Sequence, residues 1–148
     1  MEDFDDNFDD DDDELDMFVD AQDTVWSAVV SELASGRKQT HWMWFVFPQL
    51  ADLGSSDMAK LYGMHDLAEA TEYLKHPVLG SRLVEVCRLV LSHSDRSAED
   101  IFGSLDAQKL QSSMTLFAAV KGADDVFAEI LAILFHSSVC AKTQDAIG

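Results

Sequence analysis

Apolar residues recur at three- and four-residue steps from Leu15 to Leu33, through Phe18, Val19, Trp26, Val29 and Val30, with the amide of Gln22 set in the same stripe. That spacing predicts one amphipathic helix facing a core, and Gly36 suits the left-handed residue that closes it. The densest aromatic run of the chain follows, from Trp42 to Phe47. As a strand it would need burial on both faces, and no comparable second strand is available to pair with it. A helical turn or an irregular buried segment closed by Pro48 is predicted instead.

Helical signals continue as far as His136. A short helix is predicted through Met58 to Tyr62, after the loop Gly54-Ser55-Ser56. Asp66 and Glu69 make a capping-box-like start for Leu67 to Lys75, and Pro77 suits the first turn of a helix whose stripe runs from Val78 to Val90. Ser97 and Asp100 frame one short turn ending at Gly103, and two further helices are read over Asp106 to Lys121, stopped by Gly122, and Asp124 to His136. The predicted architecture is all-α: a compact orthogonal-type bundle of about six short-to-medium helices forming a single domain over residues 15–148.

Charge changes the picture at the N-terminus. The formal net charge of −18 is unevenly placed: residues 1–20 hold 12 of the 28 acids and no base, while the remainder carries 16 acids against all 10 bases. Residues 1–14 are therefore expected to be a disordered acidic tail, and the rest an ordinary soluble domain. Six acidic or amide residues of the tail, Asp3, Asp5, Asn7, Asp9, Asp11 and Glu14, fall on calcium-loop positions, but Phe8 occupies the turn position that needs glycine, so no metal site is expected there. Direct nucleic-acid binding is disfavoured by the acidity. No apolar run approaches the ~20 residues of a membrane span. Cys87 and Cys140 form neither a close pair nor a metal-ligand spacing, which suits a reducing, cytoplasmic setting with both thiols buried.

The candidate chemistry lies mainly in Gly36 to Leu50. Arg37 and Lys38 can pair with an anion, Trp42 or Trp44 can stack on a planar ring, His41 can exchange a proton near neutral pH, and Gln49 closes the segment. The competing reading makes the rings core and the cations a solvated helix end. A second polar cluster, Lys109, Ser112, Ser113 and Thr115, falls on one predicted helix. Lys109 and Ser113 share a face, yet a Ser-Lys nucleophile pair needs a desolvated lysine and oxyanion donors, so these hydroxyls fit pocket donors or back-bonded helix serines better. The five histidines, His41, His65, His76, His93 and His136, make no i, i+4 pair, and no phosphate-binding glycine loop occurs. Neither a metal nor a cofactor is expected.

Five motifs stand in order along the chain: Phe18-Val19-x-Ala21-Gln22, then Gly36-Arg37-Lys38-x-x-His41-Trp42-Met43-Trp44-Phe45-Val46-Phe47-Pro48-Gln49, then Tyr62-Gly63, then Tyr73-Leu74-x-His76-Pro77-Val78-Leu79-Gly80-x-Arg82-Leu83, then Ile101-Phe102-Gly103 with Asp106, Lys109 and Ser112 to Phe117. On these motifs rests a resemblance of the chain to the DUF1810 family. It implies a helical fold and no assigned reaction. Its motif residues include Gln22, Arg37, Lys38, His41, Trp42, Gln49, Tyr62, His76, Asp106, Lys109, Ser112, Ser113 and Thr115. Two features depart from the family pattern. The acidic run precedes it, and where members typically place a glycine and then an Asp three before a Thr, this chain has Ser137, Ser138 and Cys140.

Two functions follow as expectations. The first is a cleft for a small anionic or nucleotide-like metabolite, with His41 as its polar and catalytic centre, and Gln22, Arg37, Lys38, Trp42, Trp44, Gln49, Tyr62, His76, Lys109, Ser112, Ser113 and Thr115 around it. The second is a noncatalytic interaction module that docks a protein partner through the acidic tail and an aromatic patch.

Overall fold

The computed structural model describes residues 15–148, and the expected acidic tail lies outside the described residues. Helix α1 spans residues 15–23. It is followed by α2 (Trp26–Ala34), α3 (Met43–Val46), a 3₁₀ turn (Ala51–Leu53), α4 (Asp57–Tyr62), α5 (Leu67–Lys75), α6 (Leu79–Leu91), α7 (Ala98–Phe102), α8 (Ser104–Ala118), α9 (Val126–Leu134) and α10 (Ala141–Ile147). The fold is all-helical, with ten α-helices among the described residues where the sequence suggests about six. The β pairing found there is one isolated parallel bridge, Leu50 to Met64.

The single helix expected from Leu15 to Leu33 is in fact two. Asp, Thr and Val all have low helix propensity, and they stand together at Asp23-Thr24-Val25. The Thr24 hydroxyl donates to the Ala21 carbonyl at 2.9 Å, and the Val25 N–H turns back to Gln22 O at 3.0 Å. The chain bends there, while Phe18, Val29 and Leu33 still reach the core.

Capping signals are read more faithfully. Asp66 accepts from the Glu69 N–H at 2.9 Å, and Glu69 reaches back to the His65 N–H at 2.6 Å. Ser97 caps α7 by accepting from Asp100 N–H at 3.0 Å. Gly36 has φ +79° and ends α2 in a Schellman motif, with Gly36 N–H on Leu33 O at 3.1 Å and Arg37 N–H on Glu32 O at 3.0 Å. A side chain there would also meet Arg96 and His93, whose Cβ-to-atom separations are 2.9 Å.

Helix α8 is the central element. Ser112 to Phe117 are all buried, so the C-terminal half of this helix is enclosed on every side, while Leu105 and Gln108 of its first half are exposed; α5, α7, α9 and α10 pack against it. A chain of rings crosses the interior beside it: Phe18 against Tyr73 at 5.3 Å, Tyr73 against Phe117 at 5.4 Å, and Phe117 against Phe127 at 5.8 Å. Such pairs each add about 1 kcal/mol beyond the burial of their area. The aromatic segment forms α3 and turns inward at Met43, Phe45, Val46 and Phe47, all buried. Helix α10 has no counterpart among the helices that the sequence predicts. It has one buried residue, Thr143, and it is held on α8 by Gln111 Nε2 donating to Ser138 O and by the Cys140 N–H donating to Thr115 Oγ1.

Candidate functional site

The loop between α2 and α3 is fixed by one carboxylate. Glu32 accepts from the Gln39 N–H at 2.7 Å, the Thr40 N–H at 3.0 Å, the Thr40 hydroxyl at 2.7 Å and the Trp42 indole N–H at 3.0 Å. Burial disfavours its charge, but these donors outweigh burial and hold the carboxyl below its ordinary range. The Lys38 N–H donates to Ile101 O at 2.7 Å and ties the loop to the end of α7. Lys38 is thereby placed against the start of α8.

Lys38, Asp106 and Lys109 form one charged cluster. Asp106 accepts from Lys38 Nζ at 2.8 Å through one oxygen and from Lys109 Nζ at 3.2 Å through the other. The side chain of Lys38 is 6% exposed, so its charge needs internal compensation. It finds this in Asp106, in the Thr40 carbonyl and in the face of Trp42, 4.9 Å from the ring centre. Burial raises the Asp106 pKa, but the two lysines more than offset it and keep the carboxyl below its usual range. Lys109 is 28% exposed and sits 5.1 Å over the Trp44 ring, with more of its charge open to an incoming group.

A cleft of about 440 Å³ opens over this cluster, lined by Lys38, His41, Trp44, Phe102, Gly103, Leu105, Asp106 and Lys109 together with Met43 and Ser104. The imidazole of His41 is exposed at its edge, and Trp44 and Phe102 supply flat apolar wall. A basic wall, an aromatic wall and a titratable ring therefore share one concavity. A second cleft of about 730 Å³ adjoins it through Leu105 and Lys109, and takes in Gln49, Ser112, Cys140 and Lys142.

The expected site residues divide. Lys38, His41, Trp44 and Lys109 come together in the first cleft, and Gln49, Lys109 and Ser112 line the second. Tyr62 borders a small crevice with Trp44, Gln49 and Lys109, its ring packed on Phe18 and Phe45. Arg37 is exposed on the loop and lines neither cleft. Trp42 is fully buried, and its indole belongs to Glu32, whereas Trp44 lines the first cleft.

Other candidates serve the interior. Gln22 is buried and donates to Phe45 O at 2.8 Å and to the Tyr73 hydroxyl at 3.0 Å, and it accepts from Arg82 at 3.2 Å. Burial pushes the Tyr73 phenol well above its usual range. His76 uses Nδ1 to accept from the Val78 and Leu79 N–H groups at the start of α6. Thr115 donates to Gln111 O at 2.7 Å and takes the Cys140 N–H, while Ser113 is fully buried with no partner for its hydroxyl. Gln22, His76, Ser113 and Thr115 line neither cleft, so the convergence expected of the motif residues is partial.

Asp106 stands among the motif residues but outside the expected ligand-binding set, and Cys140 is expected to be buried. The i, i+3 spacing of Asp106 and Lys109 was the legible signal for the first. Cys140 is half-buried, and its sulfur accepts from the Ser112 hydroxyl at 3.4 Å. Burial raises its pKa, but the Ser112 contact and the donors around Thr143 and Lys142 bring the thiol below its usual value. Cys87 is fully buried, and burial pushes its thiol well up. Among the described residues no group of three His, Cys, Asp or Glu side chains is placed to hold a metal ion, and no helix is long and apolar enough to cross a membrane.

The model of the family described as "Protein of unknown function (DUF1810)" matches residues 12–147. The chain is similar to the crystal structure of Rv1873, a conserved hypothetical protein from Mycobacterium tuberculosis. The two share 48% identity with a TM-score of 0.89, over 90% of this chain and 96% of that one. No curated protein matches the chain.

Proposed function

We propose, for a chain that belongs to the DUF1810 family, that the cleft beside Trp44 binds a small anionic metabolite carrying a planar ring. The observation behind this reading is the position of Lys109, an only partly neutralised ammonium lying over an indole that itself lines a concavity. The planar part of the ligand rests along Trp44 and Phe102, its anionic group meets Lys109, and His41 donates or accepts at the edge. Lys38 holds Asp106 in place and contributes field rather than a free hydrogen bond, because its ammonium is internally compensated.

Nucleoside monophosphates carry both parts in a molecule of suitable size. Titration calorimetry with adenosine monophosphate tests the reading. Saturable binding that weakens about tenfold in Trp44→Ala and in Lys109→Gln supports it, since each substitution removes about 1.4 kcal/mol of contact. Binding unchanged in both variants, or no binding by the wild-type chain, defeats it.

A further inference from the structure

The second cleft carries no carboxylate among its described lining residues. Residues 21–148 carry 16 acids against 10 bases, yet the residues lining this concavity of about 730 Å³ include two lysines, Lys109 and Lys142, and no Asp or Glu. Its remaining polar lining is neutral, with the amides of Gln49, Gln108 and Gln111 and the hydroxyl of Ser112 foremost. In a domain whose acids outnumber its bases, a concavity whose described walls carry lysines and amides but no carboxylate suits an anion, and low-dielectric walls focus such a field on an entering anion.

The two clefts also share a wall. Lys109 and Leu105 line both, and Gln49 and Trp44 share the small crevice that Lys109 also borders. A group bound at Lys109 therefore has a continuation toward Lys142 at the start of α10. We infer that the site takes an elongated polyanion, a nucleoside polyphosphate in chemical class, with its ring along Trp44, its first phosphate at Lys109 and its distal phosphates in the acid-free cleft near Lys142. This rests on the reading of the first cleft given above.

Cys140 supplies an internal reporter. It lines the second cleft and is half-buried, whereas Cys87 is fully buried in the core, so a thiol reagent on the folded protein reads Cys140. The experiment compares adenosine monophosphate with adenosine triphosphate, without divalent cations, in calorimetry and in protection of Cys140 from iodoacetamide. In alkylation the thiolate sulfur displaces iodide from carbon and forms a thioether. The triphosphate should bind about tenfold more tightly than the monophosphate and slow alkylation, while the monophosphate leaves the alkylation rate unchanged. Lys142→Gln, at an exposed position, should weaken the triphosphate about threefold and leave the monophosphate as it was. Equal affinities with Cys140 unprotected would overturn the polyphosphate inference and leave the first-cleft reading standing. Absence of binding by either nucleotide would overturn both.

Discussion

The Lys38 ammonium and the Asp106 carboxylate meet at 2.8 Å, joining the loop after α2 to the first turn of α8. With Lys38 nearly enclosed, removing its partner leaves a desolvated charge, which is more damaging than the loss of a surface pair. Asp106→Ala should lower stability by about 2 kcal/mol, read as a shift in the urea midpoint. A change within error of zero would show that water or another group already solvates Lys38.

Acid should loosen the same region. Glu32 and Asp106 both have folded-state pKa values lowered by their donors. Their stabilisation is therefore complete above the unfolded carboxylate values, about 4, and is lost as pH falls through the lower folded-state values. Urea midpoints measured from pH 7 to pH 3 should fall on acidification, and Glu32→Gln should flatten the fall. Parallel pH profiles for wild type and variant would contradict the role given to Glu32.

Gln22 should prove structural. Gln22→Leu removes partners from the Phe45 carbonyl, the Tyr73 hydroxyl and Arg82 at once, at an expected loss of about 2 kcal/mol. Nucleotide affinity, measured well below the melting temperature, should stay unchanged. A selective loss of affinity at full stability would restore Gln22 to the site.

The turn after α9 carries two consecutive left-handed residues that are not glycine, His136 at φ +53° and Ser137 at φ +65°. Each such residue costs about 1 kcal/mol relative to glycine. Ser137→Gly should raise thermal stability, and an unchanged or lowered melting temperature would mean that the Ser137 side chain contributes more than its backbone strain.

The helical class and most caps were legible because periodicity and capping are local. Asp66-Glu69, Ser97 and Gly36 behave as their sequence context requires. The break at Thr24 and Val25 was masked because the apolar stripe runs through it and still serves the core on both sides. Helix α10 carries too little apolar surface to announce itself, and it forms by hydrogen-bonding back onto α8. In the site, the polar types were legible but their partners were not. Trp42 and Trp44 are two positions apart, yet the turn of α3 buries the first beneath Glu32 and leaves the second on the cleft. The separation of Gln22 and His76 from Lys109 is likewise a matter of tertiary packing, which sequence spacing does not encode.

The claim that the Trp44 cleft is an anion site is tested most directly by crystals grown with adenosine monophosphate. Density for the base should lie along Trp44, with a phosphate oxygen within about 3 Å of Lys109 Nζ. A fully occupied nucleotide elsewhere on the surface, or an empty cleft at saturating concentration, would contradict it.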